Sequence, residues 1–402
     1  MKTRQEALGL ILEQIRPLNN AETVSIHHAL GRTLAAPLHA AMAHPPFAQS
    51  AMDGWSVHSD DVFGASPENP VRLPIVGESR AGGVLIGPQA KGTAVRIFTG
   101  APLPEGADAV VIQEDASIDG SDVSLRFASP RAHHVRAEGA SRNPGALLVE
   151  HGTRVDAGVL SAFASEGLEE LQVVRRPKVV VISTGDEVHP LGSPLPPGRV
   201  FNSNGIMLRA LAEEAGAHCV ALHCGDSVDE MVALLGTLDD ADLILTCGGA
   251  SVGDHDLVRA SLVKSGVKDV FWKVAVKPGK PVAFGLLNGR PVLSLPGNPV
   301  SAFVTFHLFA SPAIRQMLGA RARAWVRATL SDAISHRPGR EEFVRSKLVG
   351  SAELVVSPFQ KQNSGAMHDL ALADALVRLP ADQEHFPVGS RLETLLLRGP
   401  HR

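Results

Sequence analysis

The residues of this chain best suited to chemistry lie in three loops of the segment 178–309. The first is Ser183-Thr184-Gly185-Asp186-Glu187, the second is residues 246–254, and the third is Leu295-Pro296-Gly297-Asn298-Pro299-Val300-Ser301. In the second, Gly248 and Gly249 are followed closely by Ser251 and Gly253. Successive glycines let backbone N–H groups converge into a nest that holds phosphate or a similar oxyanion. The helix expected over 256–264 adds its dipole to that nest. Lys273, Lys277 and Lys280 crowd around a Pro-Gly turn, which suits charge neutralisation of an anionic substrate. Asp186, Glu187, Asp226, Asp254 and Asp256 bring carboxylates to strand ends or loops. Each feature alone has a plainer explanation, a tight turn or a solvated face. Lysines and carboxylates gathered at one edge point instead to phosphoryl chemistry with Mg²⁺, which is typically held by one or two carboxylates plus phosphate oxygens.

The elements that must position these loops are readable from pattern. Residues 179–182 are a continuous β-branched run, as expected for a strand buried on both faces. Asn202 or Ser203 can cap a helix over 206–215, and Gly216 stops it. A strand over 218–222, a helix over 228–238 and a strand over 243–246 follow. Alternation at this spacing predicts a right-handed, mostly parallel sheet. In open α/β sheets, ligands bind outside the carboxyl ends of the strands, so the three loops should face one crevice.

Outside this segment the chain reads differently. At 402 residues it is too long for one hydrophobic core. A net charge of −4 gives no electrostatic footprint for nucleic acid. No apolar run approaches the roughly 20 residues of a membrane span. Leu8, Ile11, Leu12 and Ile15 sit at helical spacing among charges, which predicts an amphipathic helix over 1–18 rather than a secretory signal. Three cysteines without a Cys-x-x-Cys pair suit a reducing cytoplasm and argue against a zinc site. Short strands, including 93–97 and 109–113, predict a small β-domain within 19–177, and the Arg175-Arg176-Pro177 triplet marks a boundary. Strands over 328–330, 343–348 and 354–357 predict a small C-terminal β-domain. His133 and His134, as neighbours on a strand, should point to opposite faces, and no metal role is assigned to them. Asp53 before a glycine and Thr99 in a Thr-Gly-Ala-Pro loop read on composition as turn residues.

The stretches STGDE (183–187), TCGGASVGDHD (246–256), FWKVAVKPGKP (271–281) and LPGNPVSAF (295–303), in this order and spacing, resemble the molybdopterin molybdenumtransferase family. That family includes bacterial MoeA and the C-terminal domain of gephyrin. PFAQSAMDG (46–54) and RIFTGAPLPEG (96–106) extend the resemblance over essentially the whole chain. It implies a multidomain α/β and β protein, whose central domain is a mostly parallel α/β sandwich. The implied domains are an N-terminal helix (1–18) packing on the α/β domain, a linking α+β domain (19–45 and 137–177), an inserted β-domain (46–136), the α/β molybdopterin-binding domain (178–318) and a C-terminal β-domain (319–402).

The resemblance also implies an activity. Molybdate is inserted into the dithiolene of adenylylated molybdopterin, with Mg²⁺-dependent release of AMP, giving molybdenum cofactor. Asp53, Thr99, Asp186, Glu187, Asp226 and Asp256 become the expected catalytic set, the first two facing a partner subunit's α/β domain across a dimer cleft. Asp186, Glu187, Asp226 and Asp256 are nominated to place Mg²⁺. Phosphates fall to residues 248–253 with Lys277 and Lys280. Molybdate falls to Lys273 or Lys277 with Arg345, Ser364 and Ser301, an arginine suiting tetrahedral oxyanions through its planar, permanently charged fork. Ser183, Thr184, Gly248, Gly249, Ser251, Gly253, Pro296 and Asn298 complete the expected substrate contacts. Implied partners are a second copy of the chain, molybdopterin adenylyltransferase and molybdoenzyme maturation proteins, with neither nucleic acid nor membrane. One stretch departs from the family pattern Arg-x-x-Gly-Glu-Asp, since Ala140 and Ser141 replace both acids after Arg136 and Gly139. That departure keeps open a molybdopterin-binding or carrier protein without the chemistry; the α/β unit alone also resembles the molybdopterin adenylyltransferases, an alternative that residues 1–170 and the C-terminal β-domain argue against.

Overall fold

The computed structural model describes residues 1–83, 87–248, 257–350, 353–363 and 367–398. Two compact units emerge, Met1–Ala36 with His151–Leu160 and Glu170–Arg402, and Pro37–Glu150 with Ser161–Glu169. The expected linking domain is therefore shared between them.

The larger unit is built on a six-stranded sheet of β1 (Lys178–Thr184), β2 (His218–Cys224), β3 (Leu243–Cys247), β4 (Lys268–Trp272), β5 (Ala283–Leu287) and β6 (Arg290–Leu295), in the order β2-β1-β3-β6-β5-β4. The first four in that order are parallel, and β5 runs against its neighbours. The sheet is buried on both faces, and β1 shows why its sequence is uninterruptedly apolar. Val179 and Val181 pack with Leu208, Leu211 and Phe303, whereas Val180 and Ile182 pack with Met231, Leu235, Val258 and Leu262. Alternate side chains of one strand thus feed two cores. Asn202 caps the helix Ser203–Glu214 by accepting from Gly205 N, and Ser227 caps Val228–Leu235 in the same way through Glu230 N. The turn between β5 and β6 is Asn288-Gly289, both at positive φ (50° and 83°), the conformation of a two-residue type I′ hairpin.

The N-terminal helix Arg4–Gln14 carries a reciprocal capping box of Thr3 and Glu6. Gln316 Nε2 donates to the carbonyls of Leu12 and Ile15, tying the end of this helix to Ser311–Met317. Beyond residue 325, strands 341–348, 355–358, 326–330, 391–396 and 375–379 close on themselves, because 375–379 pairs back onto 341–348. Closure leaves this small barrel no free edge pair. The sequence reading did not foresee that Val276–Lys277 leaves the α/β sheet and pairs in parallel with Glu341 and Glu342 of the barrel.

In the smaller unit, strands 109–112, 54–57, 94–97, 71–79, 122–125 and 116–119 lie side by side in that order. Trp55, Val57, Leu73, Val111, Val123 and Leu125 fill its core. His133 and His134 correct the expectation made for them. They lie in a turn rather than on a strand, His134 has φ 56°, and the two ring centroids are 3.8 Å apart with the planes tilted by 48°.

All three cysteines are unpaired and buried. Burial pushes the Cys219 and Cys247 thiols up to about 12 and Cys224 to about 11, the last helped by Glu230, Asp226 and Asp186. Thiolate is the reactive form. A disulfide reagent at pH 8 should therefore show no fast phase with the folded chain and titrate three thiols in denaturant. A fast stoichiometric phase in the native protein would contradict this burial.

Candidate active site

The carboxyl edge of the sheet gathers the ends of β1, β2, β3 and β6. After β1 and β2 the chain turns through Gly185-Asp186 and Gly225-Asp226, and the two aspartates face each other. Asp226 N donates to Asp186 Oδ1 (3.0 Å), and Asp186 N donates to Asp226 Oδ2 (3.3 Å). Each carboxylate thus uses one oxygen on its partner's loop. Both side chains are exposed, with Glu230 close by across Gly225. Glu187 does not join them, because its carboxylate folds back over Gly185. Among the described residues no three His, Cys, Asp or Glu side chains gather closely enough to hold a metal ion by themselves. Asp256, the fourth nominated carboxylate, lies outside the described residues, as do Gly249, Ser251, Gly253 and Ser364.

The floor of this edge is tightly packed backbone. Gly248 ends β3 at φ +121°, and a Cβ there would sit 2.5 Å from Thr184 Oγ1 and 2.7 Å from Thr184 O. Gly297 packs against Gly248 in turn, and Asn204 Nδ2 donates to Gly297 O (2.7 Å). Cys247 Sγ donates to Pro296 O (3.3 Å), fixing the loop after β6. Ser183 is tied into the scaffold. Its hydroxyl is buried, donates to Leu222 O and accepts from Asn202 Nδ2. Among the described residues, three other polar atoms of this edge are buried without a protein partner: Thr184 Oγ1, Asn204 Oδ1 and Asn298 Oδ1. Asn298 occupies the cap position of Pro299–Thr305 but makes no capping bond. Native interiors rarely leave such atoms unsatisfied, and a ligand is one way to satisfy them. Asn204 carries no motif of its own, so sequence reasoning missed it. Ser301, one turn into that helix, is 7% exposed.

The three lysines separate in the structure. Lys273 and Lys280 sit at the base of one loop, where Lys273 N donates to Val282 O and Val274 N donates to Lys280 O. Lys277, at the part of the loop that enters the barrel sheet, is instead held by both oxygens of buried Glu342 (3.0 and 3.1 Å). In this structure the Lys277 ammonium is thus engaged by a carboxylate of the barrel. Lys273 adopts φ +76°, a region an L-residue occupies at a cost of about 1 kcal/mol. Lys273→Gly should therefore keep a urea midpoint at or above the wild type while weakening anionic substrate binding. A lower midpoint with unchanged binding would contradict this.

Arg345 is 1% exposed and works inside the barrel. Its Nη2 donates to the carbonyls of Lys361 and Asn363, and Gln362 Oε1 accepts from its backbone N. It fixes the loop that leads to Ser364. In the smaller unit, the structure brings Asp53 and Thr99 together. Asp53 Oδ1 accepts from Thr99 N and Thr99 Oγ1, both at 2.8 Å. These bonds, with Arg96 further off, hold the carboxyl below its usual range. Gly54 follows because the Val111 carbonyl leaves no room for a Cβ. Ala140 and Ser141 lie on an exposed turn, where Gly139 N donates to Pro45 O.

Known proteins resemble this chain over its whole length. Models of the MoeA N-terminal region (domain I and II), a probable molybdopterin binding domain, and the MoeA C-terminal region (domain IV) match residues 2–167, 180–316 and 327–397. Molybdopterin molybdenumtransferase 2 of Mycobacterium tuberculosis is 36% identical, over 98% of this chain and 99% of its own. The molybdopterin molybdenumtransferase of Staphylococcus epidermidis is 30% identical, over 98% and 94%. Two crystal structures of the molybdopterin biosynthesis MoeA protein from Pyrococcus horikoshii superpose with TM-scores of 0.87 and 0.83, at 26% and 30% identity, covering 98% and 99% of this chain and 100% and 99% of theirs. No helix among the described residues is long and apolar enough to cross a membrane. Full-length similarity, with all three regions in order on one chain, places this protein in the molybdopterin molybdenumtransferase family.

Proposed function

We propose that this chain inserts molybdate into the dithiolene of adenylylated molybdopterin and cleaves the adenylate anhydride, releasing AMP. The observation that carries this reading is the carboxyl edge, where the facing pair Asp186 and Asp226 shares one loop cluster with the unpartnered Thr184 Oγ1, Asn204 Oδ1 and Asn298 Oδ1. The two asparagine oxygens are acceptors and suit the N–H groups of a pterin or an adenine. The threonine hydroxyl can donate to a phosphate oxygen. Lys273 and Lys280 supply the positive charge that a pyrophosphate and molybdate require, with Ser301 and the loop fixed by Arg345 beside them in the same reading. Such a site works by positioning and charge stabilisation.

Asp186 and Asp226 fit Mg²⁺ by their chemistry. Each keeps one carboxylate oxygen free of the reciprocal N–H bonds, and Mg²⁺ takes one or two carboxylates along with phosphate oxygens. When bound, the ion would offset the charge of the phosphates. Homodimerisation and a cytoplasmic setting belong to the same reading, supported by family membership and by three unpaired thiols. The test is a single-turnover assay with adenylylated molybdopterin, molybdate and Mg²⁺, following AMP and metal-bound pterin together. Both products support the insertase. Tight pterin binding with neither product would replace it by a binding or carrier protein, the alternative suggested by Ala140 and Ser141.

A further inference from the structure

The amino edge of the same sheet carries a second concentration of charge, independent of the proposed reaction. There the helix Ser203–Glu214 ends and leads into β2, and Leu211, Glu214 and Ala215 line a cavity of about 280 Å³. A cavity of about 730 Å³ shares the walls His307, Ser311, Arg315 and Arg323 with it. Arg154, Arg315 and Arg323 converge on the smaller space, and among the described residues none has a carboxylate within ion-pair distance. Among the described residues their hydrogen bonds all go to neutral carbonyls: Arg154 to Glu214 O (3.1 Å), Arg315 to Arg321 O (2.7 Å), and Arg323 to Leu396 O and Leu397 O. By contrast, Arg4 and Arg378, at the larger cavity, are paired with Glu341, and Arg378 also with Glu393. Burial, followed by mutual repulsion, lowers the pKa of both Arg315 and Arg323.

His307 is the second, independent observation. It lies in the π-helical segment Phe306–Ala310, is 7% exposed, and is packed edge-on against Phe303 at 4.6 Å. Among the described residues neither ring nitrogen has a partner. Burial pushes its pKa down to about 3, so near neutral pH it is an uncharged imidazole with one unused N–H. Three arginines with no carboxylate within ion-pair distance among the described residues, and a buried imidazole without a partner there, on one cavity wall, are the donor set of an anion site. With Glu214 on the same wall, three positive charges and one negative leave two, which matches a phosphomonoester dianion.

We propose that these joined walls form a binding site for a phosphorylated small molecule. Arg154, Arg315 and Arg323 hold the phosphate, His307 donates to it, and the organic part lies against Leu8, Leu12, Pro312 and Trp325 of the larger cavity. The test is calorimetric titration of the full chain with inorganic phosphate and with phenyl phosphate, at matched ionic strength. Phenyl phosphate should bind more tightly. Arg154→Met/Arg315→Met should weaken both probes by about tenfold or more per arginine, the usual worth of a hydrogen bond to a charged group. Lys273→Met/Lys280→Met, at the other edge of the sheet, should leave this binding in place. The His307 ring resonances should shift on titration. Arg154→Met alone, at an exposed position, gives the same reading if the double variant misfolds. Binding indifferent to the arginines, or lost only with the lysines, overturns the site. So does sedimentation and structural evidence that a second copy's carboxylates fill the cavity.

Discussion

Asp186→Asn is expected to slow AMP release by about a hundredfold or more, the scale seen when one preorganised electrostatic group is removed from a reaction centre. The substitution is chosen to separate charge from structure. Asn keeps an Oδ1 that can accept from Asp226 N, so the reciprocal loop contact survives. It loses the negative charge, and with it the pairing that suits Mg²⁺. The side chain is exposed and faces a second carboxylate, so removing its charge also relieves repulsion, and the thermal midpoint should not fall. Single-turnover AMP release and a melting curve on the same preparation check both halves. Wild-type release from a well-folded Asp186→Asn chain would remove the aspartate pair from the chemistry. A fall in both release and midpoint would assign the pair to structure instead.

Which parts of this molecule are legible in its sequence follows from how local their physics is. The strand 179–182 shows because a strand buried on both faces must be apolar at every position, and Val179 to Ile182 indeed feed two cores. The cap at Asn202 shows because capping is decided within four residues. The Asn288-Gly289 hairpin is equally local, both residues being able to take positive φ at low cost. Non-local facts are hidden. Two residues, Val276 and Lys277, are too few to reveal that they join the barrel, and nothing near Lys277 announces Glu342, which comes from a distant strand. Ser183 is expected as a substrate contact from the family resemblance of the STGDE stretch. Its hydroxyl is used up by Leu222 O and Asn202, which only the folded chain brings together. The histidine pair misled for a related reason. Strand alternation governs 133 and 134 only if they lie on a strand, and the positive φ of His134 turns the chain there. Arg154, Arg315 and Arg323 come from three separate segments, so no spacing rule could have gathered them.

Gly248→Ala is expected to damage stability and activity together, and to do so more than glycine replacement elsewhere in the same sheet. Two costs add at this position. At φ +121° the backbone is in a region that L-residues avoid, which costs about 1–3 kcal/mol. The new Cβ would also press on Thr184 Oγ1 and Thr184 O, and the second of these belongs to a strand that cannot yield easily. Thr184 is held in register with Cys224 on one side of β1, and Ser183 with Cys247 on the other. Overpacking of this kind costs about 1–3 kcal/mol more. Gly297 already packs closely against Gly248. Because Thr184, Asn204 and Asn298 share this floor, the strain should reach the unpartnered atoms on which substrate binding is proposed to depend. Gly289→Ala is the control. Its φ is +83°, but a Cβ there meets nothing within 4 Å, so it should lose only the conformational part, about 1 kcal/mol, and keep full turnover. Urea midpoints of the two variants, read beside single-turnover rates, make the comparison. Equal midpoints would mean that the close approach of Gly248 to Thr184 stores no strain and that the loop after β3 can yield to a side chain. A Gly248→Ala chain with a lowered midpoint but normal turnover would place the catalytic contacts elsewhere than on this floor.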